Sequence, residues 1–509
     1  MLLVRALLMQ RTARTNMRSC KGVSTRYRVA TYLLAAAGLS ACAVGPNFKP
    51  PAPPAPIAYR VPEESFEFAE PSAAESTSSA SRQQLILGAH PAAEWWTTFG
   101  SSDLDAAVSE AVARNQTLAA AKASVAEARE LVKAQAGSLY PQVSFNGGAG
   151  RQRYGKQFLG SSAFVVPPFT YIGAGATVQY QVDYTGGIAR SVEQREAVAR
   201  FQQSEADATY LSLTGSVVTE AMQIAAARAE ILAVAELLAE DRTNLDLVRT
   251  AFANGSVPRM DVLTAESQLA ADEALLPPLR QRLGVARHAL AVLSGHAPGE
   301  WKSPDFAFGE LKMPRQLPLS LPSELAHRRP DVLAAEAQLH AATAAVGIAT
   351  ANLYPQIALT AAGGWQSLPG QALFTRSNAA WSLISGITAP LFNGGALRAE
   401  RRAAVDELRA SAARYQEVVL ESFGQVADVL DALTHDAELF TAQSNALQTA
   451  TSNVELARES YNAGNTDILH LIDAQRQRLD AQLGLLRAEA QQYVDNAQLF
   501  LALGSRSGA

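Results

Sequence analysis

The residue with the most specific chemistry in this chain is Cys42. It follows a basic stretch, an apolar run over residues 29–38 and the small residues Ser40 and Ala41. A run of about ten residues is too short to span a membrane as a helix, and its end matches the cleavage site of a lipoprotein signal. Cleavage would make Cys42 the mature N-terminus, where its thiol and amine can carry acyl chains. We predict a signal peptide over residues 1–41 and lipidation at Cys42.

The residues around this cysteine indicate where the mature chain starts and where it goes. A signal of 41 residues is long, so Met17 is an alternative start. Ala43, rather than an aspartate, follows the cysteine, which favours sorting to the outer membrane. The alternative is an ordinary signal peptide that happens to contain a cysteine. Residues 42–94 are rich in proline, serine and alanine, and we expect an extended tether there.

The remainder of the chain contains no recognisable catalytic or metal-binding motif. There is no phosphate-binding glycine loop, nucleophile elbow or HExxH sequence, and the seven histidines are scattered. The other cysteine, Cys20, lies within the signal. The formal net charge is −5 and the mature part has no basic cluster, which argues against a nucleic-acid partner. We expect no enzyme, cofactor or metal.

The elements that must position any functional residue come as a tandem duplication. The segment Leu139-Tyr140-Pro141-Gln142-Val143 recurs as Leu353-Tyr354-Pro355-Gln356-Ile357, at a separation of 214 residues (353 − 139). Further matched pairs are Thr185-Gly186-Gly187 with Asn393-Gly394-Gly395, and the segment 252–255 with 461–464. Each half therefore carries the same order of elements. We predict two structural repeats, over residues 95–300 and 301–509.

Two segments in each half alternate between apolar and polar residues with a period of two. The clearest has Val178, Tyr180 and Val182 on one face, with Gln179 and Gln181 on the other. The other three begin near Val143, Ile357 and Trp381. Such strands suit a membrane β-barrel, and an edge of a soluble sandwich is the alternative. Four strands cannot close alone, because the smallest barrels use about eight, so several chains must share one barrel.

A long helix is predicted after each Gly-Gly pair, over about residues 188–254 and 396–463. About 65 residues would make a helix near 100 Å long. Apolar residues recur every seven positions, at Val217, Ile224, Ile231, Leu238, Leu245 and Phe252, and at Val426, Leu433, Phe440, Leu447, Val454 and Tyr461. This spacing predicts a coiled coil, whereas core helices of a bundle are the alternative.

Glycines mark the ends of these helices. Gly186, Gly187, Gly394 and Gly395 are predicted swivels between strand and helix. Gly255 and Gly464 are predicted turns into return helices over residues 259–293 and 467–503, because glycine suits the left-handed position at a helix C-terminus. Pro277-Pro278 should interrupt the first return helix only.

Taken together, these motifs carry a family resemblance. They are Cys42 with Val44-Gly45-Pro46, Trp95-Trp96, Leu139-Tyr140-Pro141, Arg329-Pro330-Asp331-Val332, Asn393-Gly394-Gly395 and Asp473-Ala474-Gln475-Arg476. The chain resembles the outer-membrane factor family, in the lipoprotein branch that serves resistance-nodulation-division (RND) efflux pumps, and its fold looks like that of the TolC exit duct. The resemblance covers essentially the whole mature chain.

The resemblance implies an α+β membrane protein of TolC-like fold. In that fold each chain contributes four strands to a twelve-stranded barrel shared by a homotrimer, and a helical coiled-coil tunnel continues the barrel into the periplasm. The implied partners are a periplasmic adaptor, an inner-membrane RND transporter and, through acylated Cys42, outer-membrane lipid. The implied function is passive gated export of drugs or other small toxic compounds across the outer membrane of a Gram-negative cell.

The family closes the periplasmic end of its tunnel with side chains near the second hairpin turn. Asp473 stands on a matching position, where three converging carboxylates would repel one another and favour cations. The alternative is an exposed helical aspartate that pairs with Arg476 or Gln477 one turn on.

Three further residues near this turn are gate candidates. Tyr461 also stands on a matching position, but it continues the heptad seam as well. Thr466 and His470 stand where TolC has a basic residue and a further acid, so the lock differs from that of TolC. His470 could titrate near neutral pH.

Two other functions compete with drug efflux. An exit duct of a type I secretion system would share the whole fold. A lipid-anchored structural coiled coil or adhesin would explain Cys42 and the heptads, but not the four alternating strands.

Overall fold

The computed structural model describes residues 43–52, 59, 83–153 and 167–504. Two compact units comprise these residues. One contains residues 43–44, 143–153, 167–187 and 354–389, and the other contains the remaining described residues. Cys42 and the rest of the signal peptide lie outside the described residues.

Helices make up most of the described chain. They are α1 (Ser102–Arg114), α2 (Gln116–Ala136), α3 (Gly187–Ala253), α4 (Arg259–Glu273), α5 (Leu276–Leu293), α6 (Pro322–Leu325), α7 (Pro330–Ala351), α8 (Ala396–Asn462) and α9 (Ile468–Leu503). The strands are β1 (Gln84–Leu87), β2 (Gln142–Gln152), β3 (Phe169–Val182), β4 (Gln316–Leu319), β5 (Gln356–Ser367) and β6 (Ala379–Thr388).

The smaller unit is a four-stranded sheet in the order β2-β3-β5-β6. The strand β5 runs antiparallel to both neighbours, with Tyr180 opposite Leu359 and Ile357 opposite Ile387. In β3 the apolar residues from Val178 to Val182 are half-buried and the glutamines between them are exposed, as period-two alternation requires. The four predicted strands are therefore present, and β2 and β6 form the two edges of the sheet.

One face of this sheet keeps large apolar side chains uncovered. Phe145, Trp381, Leu383 and Ile387 are each more than 70% exposed. Exposed apolar patches of this kind are rare on soluble monomers and mark contact with lipid or another chain.

The larger unit is built on α3 and α8, which each contain 67 residues and would extend about 100 Å along their axes. Val217, Ile224 and Leu238 on the first predicted seam are buried. The second seam is covered less evenly, since Val426 and Val454 are buried whereas Leu447 is half-buried. Within the described chain, the two equivalent helices therefore differ in how much of their surface other elements cover.

The return helices differ in continuity, as the prolines predict. The first is divided into α4 and α5, and Pro277 lies in the first turn of α5. A proline is tolerated there because the first helical N–H groups have no intrahelical partner. The second return helix, α9, runs unbroken over 36 residues.

The duplication extends to a matched pair of polar side chains, Asn115 and Arg329, which lie 214 residues apart (329 − 115). Asn115 precedes α2 and donates from Nδ2 to the carbonyl of Leu293 at the end of α5, over 3.0 Å. Arg329 precedes α7 and donates to the carbonyl of Ala502 near the end of α9, also over 3.0 Å. In both repeats the same position ties the start of one helix to the end of the return helix.

Part of the segment predicted to be a tether packs within the larger unit. Strand β1 pairs in parallel with β4, which was not predicted. The Tyr59 hydroxyl donates to the carbonyl of Ser320 over 2.9 Å. The described parts of this segment therefore make specific contacts.

One helix within the described chain, α7, is long and apolar enough to cross a membrane by length and composition. Half of its most apolar stretch is buried inside the protein, including Val332 and Ala344. This burial is typical of a packed core helix.

Candidate functional site at the second hairpin turn

The two long helices end in the same backbone motif. Gly255 and Gly464 adopt left-handed φ values of 75° and 73°. In each turn, two backbone N–H groups bond back to carbonyls in the last helical turn, which is the Schellman arrangement. The bonds are Gly255 N to Phe252 O and Ser256 N to Ala251 O in the first turn, and Gly464 N to Tyr461 O and Asn465 N to Ser460 O in the second, each over 2.9 Å. The function of these glycines as periplasmic tip turns remains a prediction.

The second turn continues into an acid–imidazole pair that begins α9. Asp467 is the N-cap, and its Oδ1 accepts from the His470 backbone N–H over 3.1 Å and lies 2.7 Å from His470 Nδ1. These bonds hold the pKa of Asp467 below its ordinary value. In return, the hydrogen bond to Asp467 raises the pKa of His470 above 6.5, and the charge of Asp473 contributes in the same direction. His470 is therefore charged over a wider pH range than a free histidine.

Asp473 lies one turn beyond His470 and is exposed. Its Oδ2 accepts from Gln477 Nε2 over 2.7 Å, which is one of the two pairings considered for an ordinary surface aspartate. Arg476 is directed elsewhere, to Gln268 Oε1 on α4 over 3.1 Å. Within a single chain, the Asp473 carboxylate is therefore accessible to ions in solution. Its role in a gate remains a prediction.

Tyr461 and Thr466 are less exposed than Asp473. Tyr461 is half-buried and packs beside Ile468, Ile472 and Val454, where it continues the heptad seam. The Thr466 hydroxyl is buried and has no hydrogen-bond partner in the described part of the chain. For both residues a gate role is still a prediction, and Tyr461 has a packing role in any case.

Buried polar bonds hold α9 to the first hairpin. Asn244 Nδ2 on α3 donates to Gln475 Oε1 on α9 over 2.6 Å, and Arg478 on α9 donates to Glu240 on α3 over 2.9 Å. Sequence reasoning missed these contacts. The available signal was the run of four polar residues from Gln475 to Arg478, because four consecutive helical residues cannot all face solvent on a packed helix.

The predicted swivel glycines adopt different conformations in the two repeats. In the smaller unit Gly186 has a φ of 75°, and an added Cβ would lie 2.7 Å from Ala43 Cα, so only glycine fits without movement. Gly187 is the first residue of α3. In the larger unit Gly394 and Gly395 have φ values of 62° and 87° in open surroundings. A left-handed backbone costs residues other than glycine about 1–2 kcal/mol, so the conformation of these positions favours glycine. Their function as swivels remains a prediction.

Residues shortly after Cys42 are held by a polar cluster in the larger unit. Arg190 donates to Asn47 Oδ1 and to Glu193 Oε2, each over 2.6 Å. His340 lies 2.9 Å from Glu193 Oε1, and its ring stacks on Phe48 at 4.1 Å. Burial raises the pKa of Glu193, but the bonds from Arg190 and His340 outweigh it and lower the pKa overall. The position of residues 47 and 48 is thus fixed by side chains of α3 and α7.

Among the described residues, no group of three or more histidine, cysteine or acidic side chains could hold a metal ion.

Comparison with known proteins places this geometry in a family. The chain is 30% identical to the pyoverdine export outer membrane protein OpmQ of Pseudomonas putida over 441 residues, which cover 85% of this chain and 92% of the relative. It is 24% identical to the cation efflux system protein CusC of Escherichia coli over 471 residues, 92% of this chain and 97% of the relative. The structure of the outer-membrane channel OprN aligns with a TM-score of 0.80 at 26% identity, over 91% of this chain and 99% of that one.

The fold is that of a TolC-like outer-membrane channel, as predicted. The family model described as "Outer membrane efflux protein" matches residues 107–296 and 321–505, one stretch in each repeat. The chain belongs to the outer membrane efflux protein family. The predicted family, efflux-channel function and outer-membrane location are thereby confirmed, and the relatives are channel and transport proteins.

Proposed function

We propose that this protein is the outer-membrane exit duct of a tripartite RND-type efflux system. Three copies would share a twelve-stranded barrel, anchored additionally by lipid on Cys42, and would dock to a periplasmic adaptor and an inner-membrane transporter. The protein would conduct passively, with no catalytic step. The observation that carries the proposal is the four-stranded open sheet with a large exposed apolar face, in a chain of this family.

The proposed cargo is drugs or other small toxic compounds. The names of two relatives refer to pyoverdine export and to cation efflux, so relatives of this chain are named for chemically different cargoes. A duct of this kind need not recognise its cargo, because a passive channel selects mainly by size and charge at its narrowest ring.

The proposed narrowest ring contains Asp473 from each copy. Its accessible carboxylate and its position one turn from the His470–Asp467 pair support this assignment. A ring of three carboxylates attracts cations and repels anions, because the three negative charges act together on an ion that passes between them. Tyr461, Thr466 and His470 would line the same constriction.

Single-channel conductance in a planar bilayer tests the proposal. We expect small, cation-preferring steps from the wild type and larger, less selective steps from Asp473→Ala. Asp480→Ala is the matched control, because Asp480 is an exposed acid two helical turns further along α9. Unchanged steps in Asp473→Ala would keep the duct but move its gate elsewhere. The absence of channels in every variant would refute the duct itself.

A further inference from the structure

We infer that Tyr171 on β3 lines the lumen of the shared barrel, and that Gly150 on β2 leaves the space in which its ring lies against the barrel wall. The pair thereby keeps the outer part of the passage open for bulky cargo. This inference rests on the proposed function, in which three copies close one barrel around a water-filled passage.

Tyr171 stands on the polar face of β3. This strand pairs with β5 without interruption from Ile172 to Val182, so its side chains alternate between two faces. Gln179 and Gln181 are exposed on one face, and Tyr171 precedes them by even numbers of residues, eight and ten (179 − 171 and 181 − 171). Val178 belongs to the other, apolar face. A membrane barrel turns its apolar face to lipid and its polar face to the lumen, so Tyr171 is assigned to the lumen side.

Gly150 and Tyr171 also share one end of the sheet. Along the chain, β2 (Gln142–Gln152) follows helix α2, and β3 (Phe169–Val182) precedes helix α3. Gly150 is therefore close to the end of β2 that is remote from the helices, and Tyr171 is close to the corresponding end of β3. In the proposed duct the helices extend into the periplasm, so this end of the sheet faces the cell exterior.

The ring of Tyr171 occupies the place that a side chain at position 150 would take. The strands β2 and β3 are neighbours in the sheet. A methyl group on Gly150 would lie 2.7 Å from both Cζ and Oη of Tyr171 and 2.9 Å from its Cε1. Non-bonded carbon atoms are normally about 3.5–4.0 Å apart, so the methyl group would overlap the ring. The half-buried ring therefore extends from β3 across β2, along the wall.

The wall beside this ring carries few side chains. Gly173 and Gly175 follow Tyr171 on the same face of β3, and Gly148 precedes Gly150 on the same face of β2. Each of these glycines presents backbone alone to the lumen. The direction of the Tyr171 side chain therefore decides how much of the passage is filled at this level of the two strands.

A side chain at position 150 should displace the ring and leave the sheet intact. The overlap involves the far end of the tyrosine side chain, which can rotate to another staggered χ1 position. Phe169 lies two residues earlier on the same face, and its ring centroid is 6.4 Å from that of Tyr171, which leaves little room in that direction. We therefore expect the ring to move away from the wall. Three displaced rings, one from each copy, would narrow the passage.

The contact differs in this respect from others in the same sheet. A methyl group on Gly175 would lie 2.7 Å from the backbone oxygen of Gly363 and 2.9 Å from the Cα of Gly364. Backbone atoms cannot rotate away, so a substitution at Gly175 would disturb the pairing of β3 with β5. Gly150 is therefore the position at which the width of the passage can be changed separately from the fold.

Labelling of an engineered cysteine from outside the cell measures this width independently of any periplasmic gate. The chain has two cysteines, Cys20 and Cys42, and neither lies in the sheet. Gln179→Cys places an exposed thiol on the lumen face, eight residues deeper than Tyr171, or about 26 Å along the strand. Intact Gram-negative cells that carry this full-length protein are treated with a small charged maleimide or with a maleimide on a bulky polymer.

We expect Gly150→Ala to slow labelling by the bulky reagent about tenfold and to leave labelling by the small reagent unchanged, because only the bulky one is hindered by a narrower passage. Adding Tyr171→Ala should restore the rate, since no ring remains to be displaced. Gly148→Ala is the matched control, because it adds the same methyl group on the same face of β2 with no atom within 4 Å of it.

Three outcomes would contradict these expectations. An unchanged rate of bulky labelling in Gly150→Ala, or a rate that stays slow when Tyr171→Ala is added, would overturn the role of the pair. Labelling of Val178→Cys in place of Gln179→Cys would put Tyr171 on the lipid side and overturn it as well. If neither thiol reacted even with the small reagent, the shared water-filled barrel, and with it the proposed function, would be wrong instead.

Discussion

Replacing Arg329 with alanine should lower the free energy of unfolding by about 3 kcal/mol. The side chain is 6% exposed and donates to the Ala502 carbonyl over 3.0 Å, to Gln425 Oε1 over 2.7 Å and to both carboxylate oxygens of Asp331 over 3.0 and 2.6 Å. A stranded buried carbonyl costs about 1–3 kcal/mol. The Asp331 side chain is 43% exposed, so water can replace much of its lost partner, and that contribution is about 1 kcal/mol.

The neighbouring residue and the repeat partner provide the comparison. Arg328 is exposed, so Arg328→Ala should change the free energy of unfolding by less than about 0.5 kcal/mol. Asn115→Ala removes the cap bond to the Leu118 N–H and the bond to the Leu293 carbonyl, which together should cost about 1–2 kcal/mol. The expected order of loss is Arg329, then Asn115, then Arg328.

Urea unfolding of the detergent-solubilised protein, followed by tryptophan fluorescence, measures this order. Trp95 reports on the relevant region, because it is fully buried and stacks on Phe500 near the end of α9 at 5.3 Å. If Arg329→Ala and Arg328→Ala unfold at the same urea concentration, the contacts of Arg329 do not stabilise the packing of the return helix α9.

Three further substitutions test local features of the larger unit. Gly424→Ala in α8 should stabilise the protein by about 0.5–1 kcal/mol, since Gly424 is helical with free space around it. Gly215→Ala in α3 should destabilise it, because Leu501 occupies the space of the new methyl group. Urea midpoints that move in the same direction in the two variants would contradict this. Asp467→Asn should lower the pKa of His470 toward 6.5. In the wild type, the pair stabilises the start of α9 fully below pH 6.5, and this contribution is lost as the pH rises through the raised pKa, so it should disappear in the variant. An unchanged histidine titration by NMR would contradict this.

Several elements were predictable because their signals are local. The long helix predicted over 396–463 is observed as Ala396–Asn462, and the alternation from Val178 to Val182 lies at the end of β3. The repeat of the Leu-Tyr-Pro-Gln segment correctly placed β2 and β5 at equivalent positions. Helix and strand periodicity describe the backbone of one segment at a time, and one segment is enough to reveal them.

Other features have no local signal. The pairing of β1 with β4 joins segments 232 residues apart (316 − 84), and both strands are too short to show a reliable alternation. Short strands and helix ends are decided by neighbours that arrive from elsewhere in the chain.

The sequence by itself determined the duplication, the class of each long element, the family and the residues proposed for the gate. Only the tertiary structure decided which polar side chains meet: Asn244 with Gln475, and Arg476 with Gln268 rather than Asp473. The physical reason is that periodicity specifies which face of a helix is buried, whereas a pairwise contact depends on how far neighbouring helices are shifted along each other. That shift is set by the packing of all the helices together.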